Sequence, residues 1–294
     1  MDRLHAMELF VRVVETGSFS AAGREFGLGQ PAVSKAVAAL EARLEVRLLA
    51  RSTRRLSPTE AGQAFYGHAR RALAEAEEAE VAARGLGAGL AGRLRVCAPV
   101  TFARLHVAPG LGDFLESHPR LRLDLVMDDR TVDLVEENID VALRLGSMAD
   151  SALTARRLAS CERLVVASPA YLARRGVPAG PAELAGHEAV VYSQAAGGNE
   201  WRFRKGTAEM SVTVQGRIAF TAAEGVREGL LAGLGLAITS HWMVAPELAA
   251  GTLVPVLGDW SLPAMDLWAV YPTGRLPTAK ARAFVAWLVH RLGT

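Results

Sequence analysis

Residues 17–35 read GSFSAAGREFGLGQPAVSK, and this stretch decides the N-terminal fold. Ser18 or Ser20 is the candidate cap of a short helix over about 20–26. Gly27-Leu28-Gly29 makes a tight turn, and Pro31 suits a first helical position, where its missing N–H has no partner. Val33, Val37, Leu40 and Leu44 then recur at helical spacing as a buried stripe. Gln30, Ser34, Lys35 and Ala38 fall on the opposite side. Two short helices joined by a glycine turn, the second with a polar outward face, form a helix-turn-helix. The start of its second helix is the part that enters the major groove of DNA. Gln30 suits adenine there, and Lys35 suits a guanine edge or a phosphate.

Working outward, Met7, Phe10, Val11 and Val14 predict an amphipathic helix that Thr16-Gly17-Ser18 stops. Downstream, the helical pattern fails between Arg47 and Leu56. Arg47, Arg51, Arg54 and Arg55 lie there, with no acidic residue between Glu45 and Glu60. The whole chain has a formal net charge of only +2, so this basic patch is local. Such a loop would lie along the phosphate backbone, adding affinity and salt dependence but little base choice. A small helical bundle with a solvated arginine loop is the alternative. Ser57 and Glu60 have capping-box spacing, with Pro58 at the first helical position. They predict a helix to about Arg84, roughly 40 Å long. Its seam of Phe65, Ala69, Ala72, Leu73 and Ala76 has no other core nearby and predicts pairing with a second copy. Gly85, Gly87, Gly89 and Gly92 then read as a hinge-like linker.

From Arg93 the texture changes. Strands are expected at 94–98, 121–126, 141–144, 164–167, 189–192, 236–238 and 267–271. Helices are expected through 111–115 and over 131–137, 222–231 and 279–292. This alternation predicts parallel α/β packing. No run of eighteen uncharged apolar residues occurs, so no membrane span is expected. Cys97 and Cys161 are far apart and form neither a disulfide framework nor a metal-ligand cluster. With an amphipathic N-terminus instead of a signal peptide, the expected compartment is the cytoplasm. A redox role for the two cysteines is the alternative to a buried structural thiol at Cys97. There is no phosphate-binding glycine loop, nucleophile elbow or metal-ligand spacing, so neither an enzyme nor a cofactor is expected. A solute-binding protein is disfavoured by the missing signal peptide and by the helix-turn-helix.

Several motifs carry a family resemblance. Phe10-Val11, Gly17-Ser18-Phe19-Ser20-Ala21-Ala22, Gln30-Pro31-Ala32-Val33-Ser34-Lys35, Leu40-Glu41 and Arg51-Ser52-Thr53-Arg54-Arg55 resemble the LysR-type transcriptional regulators. Ser57-Pro58-Thr59-Glu60-Ala61-Gly62 is similar to the start of that family's linker helix. Leu48-Leu49 stands where the family usually carries Leu-Phe, a conservative core change. The resemblance implies a winged helix-turn-helix over 1–58, a dimerising linker helix and hinge over 59–91, and an effector domain over 92–294. That domain would hold two Rossmann-like subdomains, as in periplasmic binding proteins: 92–162 with 269–294, and 163–268. Implied DNA-binding residues are Ser18, Ser20, Gln30, Pro31, Ala32, Ser34, Lys35, Arg51, Arg54 and Arg55. Implied partners are a pseudo-palindromic DNA site, a small effector, RNA polymerase and further copies of the chain, up to a tetramer.

The effector would sit between the subdomains, where helix N-termini favour an anion. Val100, Thr101 and Phe102 lie before the first helix, and Thr221 before the helix at 222. Asp129, Arg144, Tyr192 and Ser193 lie at strand ends near the same cleft. Thr101 and Thr221 serve equally as helix caps, and Asp129 with Arg130 as a solvated turn pair. Trp201 and His241 could line the cleft, although single residues of these types are more often packing.

Overall fold

Asp2 accepts the Leu4 N–H at 3.1 Å and starts α1 (Arg3–Thr16), which Gly17 ends in the left-handed region at φ 63°. Ser18, not Ser20, caps α2 (Phe19–Glu25): its Oγ accepts the Ala21 N–H at 3.2 Å, whereas Ser20 is exposed. α3 (Gln30–Leu44) begins one residue before Pro31. A Cβ on Gly23 would sit 2.5 Å from the Leu28 carbonyl oxygen, so only glycine lets the turn fold back onto α2. Two short strands follow, β1 (Leu49–Arg51) and β2 (Leu56–Pro58), antiparallel with Ala50 opposite Ser57. The last long element of this unit is α4 (Glu60–Arg84).

The computed structural model describes residues 2–51, 56–84, 89–148, 154–194, 199–272 and 276–293. Arg54 and Arg55 of the basic loop, and Gly85 and Gly87 of the linker, lie outside the described residues. The chain divides into two units, Met1–Leu90 and Ala91–Thr294. Two sequence expectations change in the first unit. Strand pairing claims Ser57 and Pro58, so the α4 cap is Thr59, whose Oγ1 accepts the Gly62 N–H at 2.9 Å. The α4 seam is also not free of a core. Phe65 and Leu73 pack on the cluster that holds Ala69, Phe10, Val37 and Leu40. Ala72 is exposed. Gly62 meets the wing so closely that a Cβ would lie 1.9 Å from the Leu48 carbonyl oxygen.

The second unit runs through β3 (Ala91–Ala98), α5 (Val100–Phe102), α6 (Leu111–Glu116), β4 (Arg120–Met127), β5 (Val141–Leu145), β6 (Thr154–Cys161) and β7 (Arg163–Ala167). It continues through α7 (Pro169–Arg175), β8 (Glu188–Tyr192), β9 (Glu200–Lys205), β10 (Ala208–Thr213), β11 (Gln215–Phe220) and α8 (Ala223–Leu231). It ends with β12 (Leu236–Ser240), α9 (His241–Ala250), β13 (Val254–Val256), β14 (Met265–Tyr271) and α10 (Ala279–Leu292). Short π and 3-10 turns make 100–116 one helical run.

Two five-stranded sheets result, ordered β4-β3-β5-β14-β6 and β11-β8-β12-β7-β13. They are mixed, not parallel. β14 runs antiparallel to β5 and β6, and β7 antiparallel to β12 and β13. The antiparallel strands are those at the two crossings between the sheets. A strand reached from the neighbouring sheet needs no helical crossover and is not bound to run parallel. The first crossing is Glu162, between β6 and β7; the second lies within 257–264. All of β14 joins the first sheet, so that sheet's share of the chain resumes at Met265, ahead of the expected 269. The helix expected over 131–137 is a turn. Asp133 Oδ1 accepts the N–H groups of Val135 and Glu136 at 2.7 and 3.0 Å, a local cap that competes with helix propagation.

Candidate DNA-binding face and effector cleft

In the first unit, α3 buries Val33, Ala36, Val37 and Leu40 against α1. Their burial turns Gln30, Pro31, Ala32 and Lys35 outward; all four are exposed, and Ser34 is partly so. The exposed set occupies the first two turns of the helix, the part that can reach base edges. Ser18 is committed to its cap, with Ser20 exposed beside it. Arg51 ends β1.

Glu41 is the functional residue that charge counting missed. It is 7% exposed, and its Oε1 accepts the N–H groups of Leu48 and Leu49 at 2.8 and 3.0 Å. This carboxylate holds the first wing strand to the recognition helix. Arg12 ties α1 to α2 through two bonds to Glu25, at 2.5 and 2.6 Å, and reaches Glu15 at 2.7 Å. These bonds outweigh burial and raise its guanidinium pKa. Tyr66 donates to the same Glu15 at 3.1 Å and so joins α4 to the set.

In the second unit a cavity of about 1340 Å³ is lined from both subdomains. Of the residues expected there, Thr101, Phe102, Asp129, Arg144 and Tyr192 line it. Val100, Ser193 and Thr221 do not. Thr221 is exposed and gives its carbonyl to Gln194, and Ser193 Oγ donates to the Phe220 carbonyl. Nor does Thr221 cap α8. That role falls to Asp129, whose Oδ2 accepts the Ala223 N–H at 2.7 Å and whose Oδ1 accepts the Val100 N–H at 2.9 Å. One carboxylate thus serves the starts of two helices, one in each subdomain. Each start offers unpaired N–H groups and a favourable dipole, and each already has its anion.

Other contacts bridge the same seam. Thr101 donates to Glu224 at 2.8 Å, Arg104 pairs with Glu224 at 3.1 Å, and His106 Nε2 donates to the Trp242 carbonyl at 2.8 Å. The Phe102 and Trp242 rings meet edge-on at 5.6 Å. Burial, with Asp129 adding to it, pushes the Tyr192 hydroxyl up to about 12. Arg144 donates to the Val132 carbonyl at 3.2 Å. Trp201, weighed as packing, is 8% exposed and does both jobs: it sits in the core and lines the cavity. His241 lies 3.7 Å from Glu162 and is absent from the lining. Burial pushes both the Cys97 and Cys161 thiols up, away from the reactive thiolate. Among the described residues no group of His, Cys, Asp and Glu could hold a metal, and no helix is long and apolar enough to cross a membrane.

Sequence reasoning did not anticipate Arg163, Glu224 or Trp242. None lies in a motif; Arg163 and Trp242 reach the cavity lining, and Glu224 the seam beside it, only when strands far apart in sequence pair.

Residues 4–63 match the family described as "Bacterial regulatory helix-turn-helix protein, lysR family", and residues 87–293 match "LysR substrate binding domain". An HTH-type transcriptional regulator of Xanthomonas campestris is 38% identical, over 97% of this chain and 84% of its own length. An HTH-type transcriptional repressor of Pseudomonas aeruginosa is 36% identical, over 99% and 92%. The solved structure of CrgA, a LysR-type transcriptional regulator from Neisseria meningitidis, is similar across 100% of both chains, with a TM-score of 0.64 and 32% identity.

Proposed function

This chain belongs to the LysR family of DNA-binding transcriptional regulators, and we propose that it reads a pseudo-palindromic promoter site under the control of a small acidic effector. It is a regulator and not an enzyme. The observation that carries the reading is the outward face of α3. Gln30, Ser34 and Lys35 stand on its first turns, backed by the buried Val33, Val37 and Leu40. Gln30 and Lys35 read base edges, with Ser18, Ser20, Pro31 and Ala32 against the adjoining backbone. Arg51, Arg54 and Arg55 clamp phosphates.

The effector binds between the two subdomains, in the cavity that Thr101, Phe102, Asp129, Arg144 and Tyr192 line. The mixed polar and aromatic lining supports a small organic ligand. Copies pair through α4 and assemble as a dimer or tetramer in the cytoplasm. Effector binding changes the spacing of the recognition helices, and with it DNA bending and RNA polymerase contact.

The test is a gel shift with the DNA upstream of the protein's own gene, repeated at rising salt. A sequence-selective shift that weakens with salt is expected. No selective shift at any salt overturns the reading.

A further inference from the structure

Three residues among those described carry a buried side-chain atom with no hydrogen-bond partner: Arg95, Arg163 and Glu247. Arg95 still pairs with Asp124 and Glu137, and Glu247 with Arg227. Arg163 is different. Its Nε is shut off from solvent, and its guanidinium makes no ion pair or side-chain hydrogen bond among the described residues. It lines the large cavity, at the first residue of β7 and next to the crossing residue Glu162. Burial lowers its pKa, as expected for a cation without a counter-charge.

The acids of the cavity do not answer it. Asp129 is spent on two helix starts, Asp128 pairs with Arg130, Asp133 caps its own turn, and Glu200 pairs with Arg202. Arg163 is part-buried, and an N–H of a cation shut off from water without a partner is costly unless some state of the protein supplies one.

The strand register shows what surrounds it. Arg163 lies opposite Ser240, and Val165 opposite Ile238, so these four share one face of the second sheet. Val165 and Ile238 belong there to a cluster with Trp201 and Leu262, and Ile238, Trp201 and Leu262 also line the cavity. Val226 of α8 packs in a separate cluster with Val166, which alternates to the other face. The α8 start that Asp129 fills thus belongs to the other side of the sheet.

We propose that Arg163 is the anion anchor of the effector, and that Ser240, Trp201, Ile238 and Leu262 receive the ligand's apolar body, with the helix starts left to Asp129. The ligand class is a small carboxylate or phosphate on an apolar or aromatic frame. This rests on the reading that an acidic molecule occupies the cavity, and it specifies where its charge sits. A ligand held at Arg163 bears directly on the crossing between the subdomains.

The test uses the full chain and its melting temperature. Acetate, phenylacetate, citrate and inorganic phosphate are the probes, with phenylacetamide as the neutral control. Phenylacetate is expected to raise the wild-type melting temperature and phenylacetamide to leave it unchanged. Arg163→Met should lose the response, and Arg163→Lys, which keeps the charge but not the fork, should retain part of it. Without ligand, Arg163→Met should melt no lower than wild type, because a buried N–H without a partner is gone. A lower melting temperature for ligand-free Arg163→Met overturns the proposal, since the guanidinium then has a partner. A response kept in Arg163→Met moves the anion elsewhere and leaves the acidic-effector reading standing. If that response is also lost in Thr101→Ala, the helix starts hold the anion. No response of wild type to any of the four anions overturns both the anchor and the acidic effector.

Discussion

The two units each shut polar atoms of a charged side chain away from water, and they treat them in opposite ways. Glu41 in the first unit is 7% exposed and accepts two backbone N–H groups at hydrogen-bonding distance. Arg163 in the second unit keeps a fully buried Nε with no partner among the described residues. A satisfied buried charge fixes geometry: Glu41 sets where the wing leaves the recognition helix. An unsatisfied one stores a demand that only another molecule or another state can meet. The first unit is therefore built to hold one shape, and the second to have its shape changed.

The largest expected effect breaks the satisfied side. Glu41→Ala strands the Leu48 and Leu49 N–H groups in a buried site and should destabilise the first unit by about 2–4 kcal/mol. Urea unfolding with hydrogen exchange at those two amides measures it. Exchange as slow as in wild type would show that the carboxylate does not hold the wing.

Next is Asp129, a satisfied charge of the second unit. Asp129→Ala removes a cap from two helices at once and should cost about 2 kcal/mol, read as a fall in melting temperature. Asp129→Asn, which keeps one acceptor, should lose about half of that. An unchanged melting temperature would erase the contrast with Arg163.

A smaller effect separates binding from stability within the first unit. Lys35→Ala should cost roughly 1–2 kcal/mol of discrimination between specific and mismatched duplexes, with folding stability changed by less than about 0.5 kcal/mol. Binding competition across mismatched sites reads the first, and urea unfolding the second. Equal weakening on every duplex would make Lys35 a phosphate contact instead.

The smallest effect is at the subdomain seam. Arg104 and Glu224 are 41% and 30% exposed, so Arg104→Ala should cost about 0.5 kcal/mol or less. A thermal-unfolding loss well above that would show a seam more tightly held than its exposure implies.

Much of the first unit was legible because its signals are local. The stripe of Val33, Val37 and Leu40 and the glycine turn before Gln30 are set by residues within a few positions of each other. Where local rules compete, the folded structure decides. Ser57 has the spacing of a cap, but pairing with Ala50 took it into β2 and left the cap to Thr59. Asp133 sits in an apolar, helix-like pattern, yet its side chain bonded the next turn and stopped the helix. The α4 seam read as free because its partners, Phe10 and Leu40, lie far back in the chain.

The cleft was legible only in part. Thr101, Phe102, Asp129, Arg144 and Tyr192, expected near the cleft from the family resemblance, line the cavity. What Asp129 holds was not legible. Nothing local to Asp128-Asp129-Arg130 shows that Oδ1 will meet Val100 and Oδ2 will meet Ala223.

By itself, then, the sequence determined the helix-turn-helix, its outward polar face and the local basic wing. Helix periodicity and turn chemistry act over a few residues, and the apolar stripe dictates which side faces out. The tertiary structure decided the direction of the strands at the two crossings, the anchoring of the wing by Glu41, the double cap at Asp129 and the isolation of Arg163. Each of these depends on which charges and N–H groups meet after distant strands pair, and burial decides whether a charge finds a partner or is left without one.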